Sequence, residues 1–171
     1  MNKIPLVVDL DGTLINTDML HESVIAAFRQ NPLIVFKVLL WLTRGKACLK
    51  ANLAKQVSIN AENLPYNQAF LSWLKEKKDE GRHIVLSTAS HLSHANAGAI
   101  HVGLFDEVIA TDDSIDLAGK HKSEALVTKY GKQAFDYAGN SSADLHVWEN
   151  ARNAIVVNAP LSLVRKAQAK H

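Results

Sequence analysis

Leu6-Val7-Val8-Asp9-Leu10-Asp11-Gly12-Thr13-Leu14 is the stretch whose reading decides the fold. The apolar run from Ile4 to Val8 predicts a strand buried on both faces, as in a parallel sheet. It ends in two carboxylates one residue apart, followed at once by glycine. Residues i and i+2 of a strand point the same way. Asp9 and Asp11 are therefore expected together at the carboxyl end of a central strand, where open α/β sheets place their ligands. Two carboxylates held that close repel each other. A divalent cation would relieve the repulsion, and hard oxygen donors suit Mg²⁺. Gly12 permits a sharp turn that exposes backbone N–H groups. The bland alternative is a strand closing in a polar Asp-Gly turn, so the rest of the chain has to decide.

Beyond Asn67 the pattern alternates regularly. A helix is predicted over 68–80, a strand over 83–86 leading into Ser87-Thr88-Ala89-Ser90, and a helix over 92–101. A strand near 107–110 follows, then a polar loop or small hairpin over 111–119 with Asp112 and Asp113 as turn or capping residues. The pattern continues with a helix over 122–130, a strand over 135–138, a helix reaching about 151, and a last strand over 154–157. The tail, 162–170, reads as a basic, loose helix. Strands alternating with helices predict an α/β, Rossmann-like parallel sheet of about five strands, covered on both faces. Thr88 falls at a strand end beside a helix N-terminus, a natural anion site. Ser87, one residue away, should face the opposite side.

Residues 18–65 do not alternate. Asp18 can cap a helix over 19–30, and Asn31-Pro32 breaks it. Leu33–Leu42 is apolar except for Lys37, Arg44-Gly45 breaks again, and Leu49, Leu53 and Val57 recur at helical spacing. This is a helical insert directly after the first strand, where a lid over the site would sit. The expected organisation is therefore a core of 1–17 and 66–171 with a small helical cap of 18–65. Leu33–Leu42 has two readings. One is a lid helix packed on its neighbours, since so short an apolar run usually belongs to a core. The other is an exposed apolar surface that, with Arg29, Lys37, Arg44, Lys46, Lys50 and Lys55 nearby, meets an anionic membrane.

The 171 residues are 47% hydrophobic, enough for one good core, and the net charge of +2 gives no nucleic-acid footprint. The lone cysteine, Cys48, excludes an internal disulfide and fits a reducing, cytoplasmic compartment. The chain opens on the core strand with no signal-peptide pattern. His91 and His94 are three apart on a helix, but a zinc site needs further ligands that the sequence does not offer.

The first stretch resembles motif I of the haloacid dehalogenase (HAD) superfamily, whose members are mostly Mg²⁺-dependent phosphatases with an aspartate nucleophile. The resemblance implies that Asp9 forms an aspartyl-phosphate while Asp11 protonates the leaving oxygen and then activates water. Gly12, Thr88 (motif II) and Lys122 (motif III) would bind phosphate. Lys122 is preferred over Lys120 because Lys-Ser-Glu-Ala-Leu fits the Lys-x-x-x-Leu pattern. Motif IV is expected as Gly-Asp-x-x-x-Asp, and here reads Gly139-Asn140-Ser141-Ser142-Ala143-Asp144. The implied Mg²⁺ set is Asp9, Asp11, Asn140 and Asp144. Asn140 offers a neutral oxygen where a carboxylate is expected, so binding should weaken. A cap directly after motif I also matches one branch of the superfamily.

The likeness narrows further on Leu64-Pro65-Tyr66-Asn67, Gly103-Leu104-Phe105-Asp106-Glu107-Val108 and Phe135-Asp136-Tyr137-Ala138-Gly139. These look like the soluble HAD domain fused to UbiA-type membrane prenyltransferases, which is phosphoserine-phosphatase-like. It implies a small phosphometabolite or a lipid-linked phosphosugar as substrate. It also implies a prenyltransferase or peripheral-membrane partner, and a place at the inner face of the membrane. The chain would then be a stand-alone relative or a piece of a larger protein. The alternative is a catalytically weakened HAD-fold binding or regulatory module docking on a membrane partner. A phosphorylation-receiver domain uses similar residues but lacks a helical insert after its first strand.

Overall fold

The computed structural model describes residues 4–112 and 116–169. Asp113 and part of the anticipated 111–119 loop lie outside them. Five strands form one sheet in the order β3-β2-β1-β4-β5, and every neighbouring pair is parallel. They are β1 (Leu6–Val8), β2 (Ile84–His91), β3 (Glu107–Thr111), β4 (Asp136–Gly139) and β5 (Asn153–Val156). All residues of β1 are buried, which is why its sequence runs apolar rather than alternating. The strand lies at the centre of the sheet, so Asp9 leaves the sheet between β2 and β4.

The helices are α1 (Met19–Gln30), α2 (Ile34–Thr43), α3 (Lys46–Gln56), α4 (Gln68–Asp79), α5 (Leu92–Val102), α6 (Lys120–Tyr130), α7 (Leu145–Trp148) and α8 (Leu161–Ala169), of which α4 and α5 cover one face of the sheet and α6, α7 and α8 the other. On one face Leu6, Val8, Leu10, Leu14, Phe70, Leu74, Leu86 and Ala95 pack together. On the other face Val7, Val85, Leu126, Phe135, Tyr137 and Trp148 do so. Val7 and its neighbours Leu6 and Val8 thus serve opposite layers, as the period of a strand requires.

The expected Asp18 cap forms. The Asp18 side chain accepts from the Leu20 and His21 N–H groups and starts α1. The Asn67 side chain caps α4 through Phe70 N–H. Strand β2 runs five residues past Leu86, because Thr88 and His91 pair with Ala110 and Thr111 across a register shift. Helix α8 is not loose: it buries Leu163 and Ala167 against the second face.

The helices of the insert build a separate apolar cluster of Ala27, Ile34, Trp41, Leu49, Leu53 and Val57. Helix α2 does not pack on its neighbours all round. Ile34 and Trp41, seven residues apart, are its buried residues. Its other side faces outward, so Leu33–Leu42 combines both readings: one side packs on the other insert helices and the other is exposed. No described helix is long and apolar enough to cross a membrane.

Candidate active site

A cavity of about 390 Å³ opens at the carboxyl end of β1, lined by Asp9, Asp11, Gly12, Asn16, Thr17, Asp18, Ala89, Ala118, Gly119, Lys122, Asn140, Ser141, Ala143 and Asp144. Four segments far apart in sequence meet there: the turn after β1, the end of β2 at Ala89, the start of α6, and the turn after β4. Parallel topology brings them together, because the carboxyl ends of all the strands lie on the same edge of the sheet.

Lys122 organises the charges. Its Nζ donates to Asp9 Oδ1 at 2.7 Å and to the Tyr137 hydroxyl at 3.0 Å, and lies 4.0 Å from Asp144 Oδ1. A lysine in the first turn of a helix is disfavoured by the helix dipole, and α6 has no acidic residue in that turn. Asp9 and Asp144 supply the missing negative charge from across the cavity. Burial alone would pull the Lys122 ammonium down, but the two carboxylates outweigh it and hold it above the ordinary lysine value. The rival, Lys120, is exposed and pairs with Glu124 on its own helix at 3.5 Å.

Asp9 is held by its backbone, whose N–H donates to Ala138 O at 2.9 Å. Burial, with smaller contributions from Asp144 and Asp11, pushes its carboxyl up to about 7 against the opposing pull of Lys122. Asp11 is also raised, chiefly by burial. Its Oδ1 accepts from Met19 N–H at 2.7 Å and its Oδ2 from the Ser90 hydroxyl at 2.7 Å. Asp11 thereby joins the first turn of α1 to the end of β2.

The turn after β4 is equally determined. Asp144 Oδ2 accepts from Asn140 N–H (3.1 Å), Ser141 N–H (2.9 Å) and the Ser141 hydroxyl (3.0 Å), while Oδ1 accepts from the Tyr137 hydroxyl (2.8 Å). A Cβ on Gly139 would come within 2.7 Å of Asp144 Cγ and 2.8 Å of the Tyr137 ring, so only glycine admits both. Gly12 has φ +74°, and a Cβ there would stand 1.9 Å from Asn140 Nδ2.

The structure redistributes some roles. The Gly12 N–H donates to Thr17 O at 3.0 Å, so its contribution is close backbone approach rather than a free amide. Thr88 is fully buried, its Oγ1 accepts from Ser90 N–H at 2.9 Å, and the cavity wall at that level is Ala89. Ser87 is buried too, and its hydroxyl has no partner. His94 is enclosed between Ser23 (3.5 Å) and the Val57 carbonyl (3.2 Å), and His121 lies on the surface. Tyr137, Ser90 and Ser141 were not anticipated as site residues. A phenol in a strand buried along its whole length was the available signal, since a buried hydroxyl requires a partner.

Among the described residues no three His, Cys, Asp or Glu side chains are grouped to hold a metal by themselves. Both oxygens of Asp11 and of Asp144 are engaged as described. The Asn140 amide oxygen, however, is buried without a partner in the wall of the same cavity. Leaving a carbonyl buried and unpaired costs about 1–3 kcal/mol, and an oxygen-seeking cation would remove that cost. Asp9 and Asn140 therefore fit a hard cation that keeps several of its waters, with Asp144 acting from behind.

No protein-family model matches the chain. It is 36% identical over 155 residues to an uncharacterized protein, y4nM, of Sinorhizobium fredii; the match covers 91% of this chain and 30% of that protein, so the chain spans under a third of the relative's length. Among solved structures it is similar to a protein of unknown function from Bordetella pertussis, with a TM-score of 0.74 at 15% identity, covering 99% of this chain and 96% of that one. It is also similar to phosphoserine phosphatase in its apo form, with a TM-score of 0.68 at 18% identity, covering 96% and 90% of the two chains.

Proposed function

We propose that this chain, whose α/β core has the fold of the haloacid dehalogenase superfamily, hydrolyses a phosphomonoester through Asp9. The observation that carries the reading is the buried Lys122–Asp9 contact at 2.7 Å, at the mouth of the central strand and within reach of a cavity. Phosphoryl transfer needs little beyond positioning and positive charge on the equatorial oxygens. Lys122 supplies that charge from a place where water cannot screen it.

One Asp9 carboxylate oxygen attacks phosphorus in line, and the ester P–O bond breaks. Asp11 donates its proton to the leaving oxygen, a role that its upward-shifted carboxyl favours. A water then attacks the aspartyl-phosphate, giving its proton back to Asp11 and releasing inorganic phosphate. Lys122 keeps Asp9 oriented and neutralises the transferred group in both steps. Mg²⁺, held by Asp9 and Asn140 with Asp144 behind them, would add charge neutralisation and favour ionised Asp9. The substrate class that we propose is a small phosphometabolite or a lipid-linked phosphosugar.

A second reading rests on Asn140. With a neutral donor in place of a carboxylate, the site would hold Mg²⁺ less firmly, and the chain would serve as a weakened binding or regulatory module on a membrane partner. Hydrolysis of p-nitrophenyl phosphate, titrated with Mg²⁺, separates the two. We expect turnover by the parent chain, abolished in Asp9→Asn and raised in Asn140→Asp at limiting Mg²⁺. If the parent and Asn140→Asp both bind Mg²⁺ yet neither turns over this or a panel of phosphomonoesters, the module reading prevails.

A further inference from the structure

Helix α2 is inside out for a surface helix. Its inward stripe is Ile34 and Trp41, 7% and 8% exposed, while Phe36 is 69%, Leu39 56% and Leu40 53% exposed on the opposite side. Leu33 before it and Phe28 at the end of α1 are 70% and 52% exposed. Amphipathic helices turn polar residues outward, and a contiguous exposed apolar patch of this kind marks an interaction surface. The charges around it are of one sign. Arg29, Lys37, Arg44 and Lys46 are exposed, and no acidic residue occurs between Glu22 and Glu62. None of the four basic side chains forms an ion pair among the described residues.

We infer that the outer face of α2, with its basic flanks, lies on the surface of an anionic lipid bilayer. Charge selects this occupant. A second copy of the chain would set the same unpaired cations against themselves with no carboxylate between them, which repels. An anionic headgroup layer complements them, and the acyl boundary beneath it accepts Phe36, Leu39 and Leu40. A helix of 10 residues is about 15 Å long, too short to cross and suited to lying in the plane. The inference concerns the surface alone and does not depend on the phosphatase reading.

Flotation with phosphatidylcholine vesicles, with and without phosphatidylglycerol, tests it. The parent chain should float with the phosphatidylglycerol vesicles, far less with phosphatidylcholine alone, and progressively less as salt is added. Phe36→Asp with Leu40→Asp should abolish flotation. Lys37→Gln with Arg44→Gln should weaken it about 25-fold, from roughly 5-fold per basic side chain at an anionic surface. All these positions are exposed, so the variants should melt with the parent, which separates lost docking from lost folding. Failure of the folded parent to float with anionic vesicles overturns the inference. So does flotation unaffected by Phe36→Asp with Leu40→Asp. A concentration-dependent dimer in sedimentation velocity that this double variant dissolves would assign the face to a second copy instead.

Discussion

Replacing Lys122 by Met isolates the charge on which the site depends. Met fills much of the lysine's volume without the ammonium. Lys122 and Asp9 side chains are 6% and 10% exposed, and Asp144 is 3% exposed. Without the cation, two buried carboxylates remain with no opposite charge nearby. At about 4 Å and an effective dielectric of about 20, a pair of unit charges interacts by about 4 kcal/mol. Removing one partner of a buried pair costs about 3–5 kcal/mol. For a chain of this size that lowers Tm by about 6–20 °C. The pH dependence has a definite sign. Asp9 titrates near 7 in the fold against 3.8 as its ordinary value. The folded state therefore binds the extra proton between those values, and the contribution of Asp9 to stability is full at low pH and lost as pH rises through about 7. Removing Lys122 removes the charge that opposed this shift. The deficit of Lys122→Met should be largest near pH 8 and shrink toward pH 5. Adding Asp9→Asn should recover most of it. Urea unfolding of the parent, both single variants and the double variant at the two pH values measures this directly. A deficit below about 1 kcal/mol at pH 8, or one that grows on acidification, refutes the reasoning.

Three further outcomes follow from the geometry. Tyr137→Phe removes the hydroxyl linking Lys122 to Asp144 and should cost about 1–2 kcal/mol in chemical denaturation; we also expect a lower kcat with KM little changed, since the phenol stands behind Lys122 and does not line the cavity. Gly12→Ala forces a Cβ into Asn140 and a left-handed backbone onto alanine, so a loss of about 2–3 kcal/mol is expected by thermal melting. Asp136 lies at the other end of β4, where Arg82, Arg152 and Asn153 converge on it. Burial pushes its carboxyl up, but the Arg152, Arg82 and Asn153 donors prevail and hold it below its ordinary value. Its stabilisation is therefore present above about pH 4 and lost as pH falls through the depressed value. Asp136→Asn should lower stability by about 2–3 kcal/mol at pH 7 and flatten the acid limb of a denaturation-midpoint profile.

The sequence by itself determined what local chemistry specifies. An apolar run closing in Asp-x-Asp-Gly marked the central strand. The Asp18 cap marked a helix start, and the shift from helical to alternating pattern near residue 66 marked where the β/α alternation resumes. Each of these depends on neighbours within a few residues, so each can be read along the chain. Tertiary structure decided which of the site's polar groups meet. Tyr137 stands between Lys122 and Asp144, Ser90 turns to Asp11, and Thr88 is sealed behind Ala89, because strand order and a register shift in β2 set those distances. It also decided the fate of α2. Burial is a property of what packs against a helix, and its own residues are as apolar on the side that found a partner as on the side that did not.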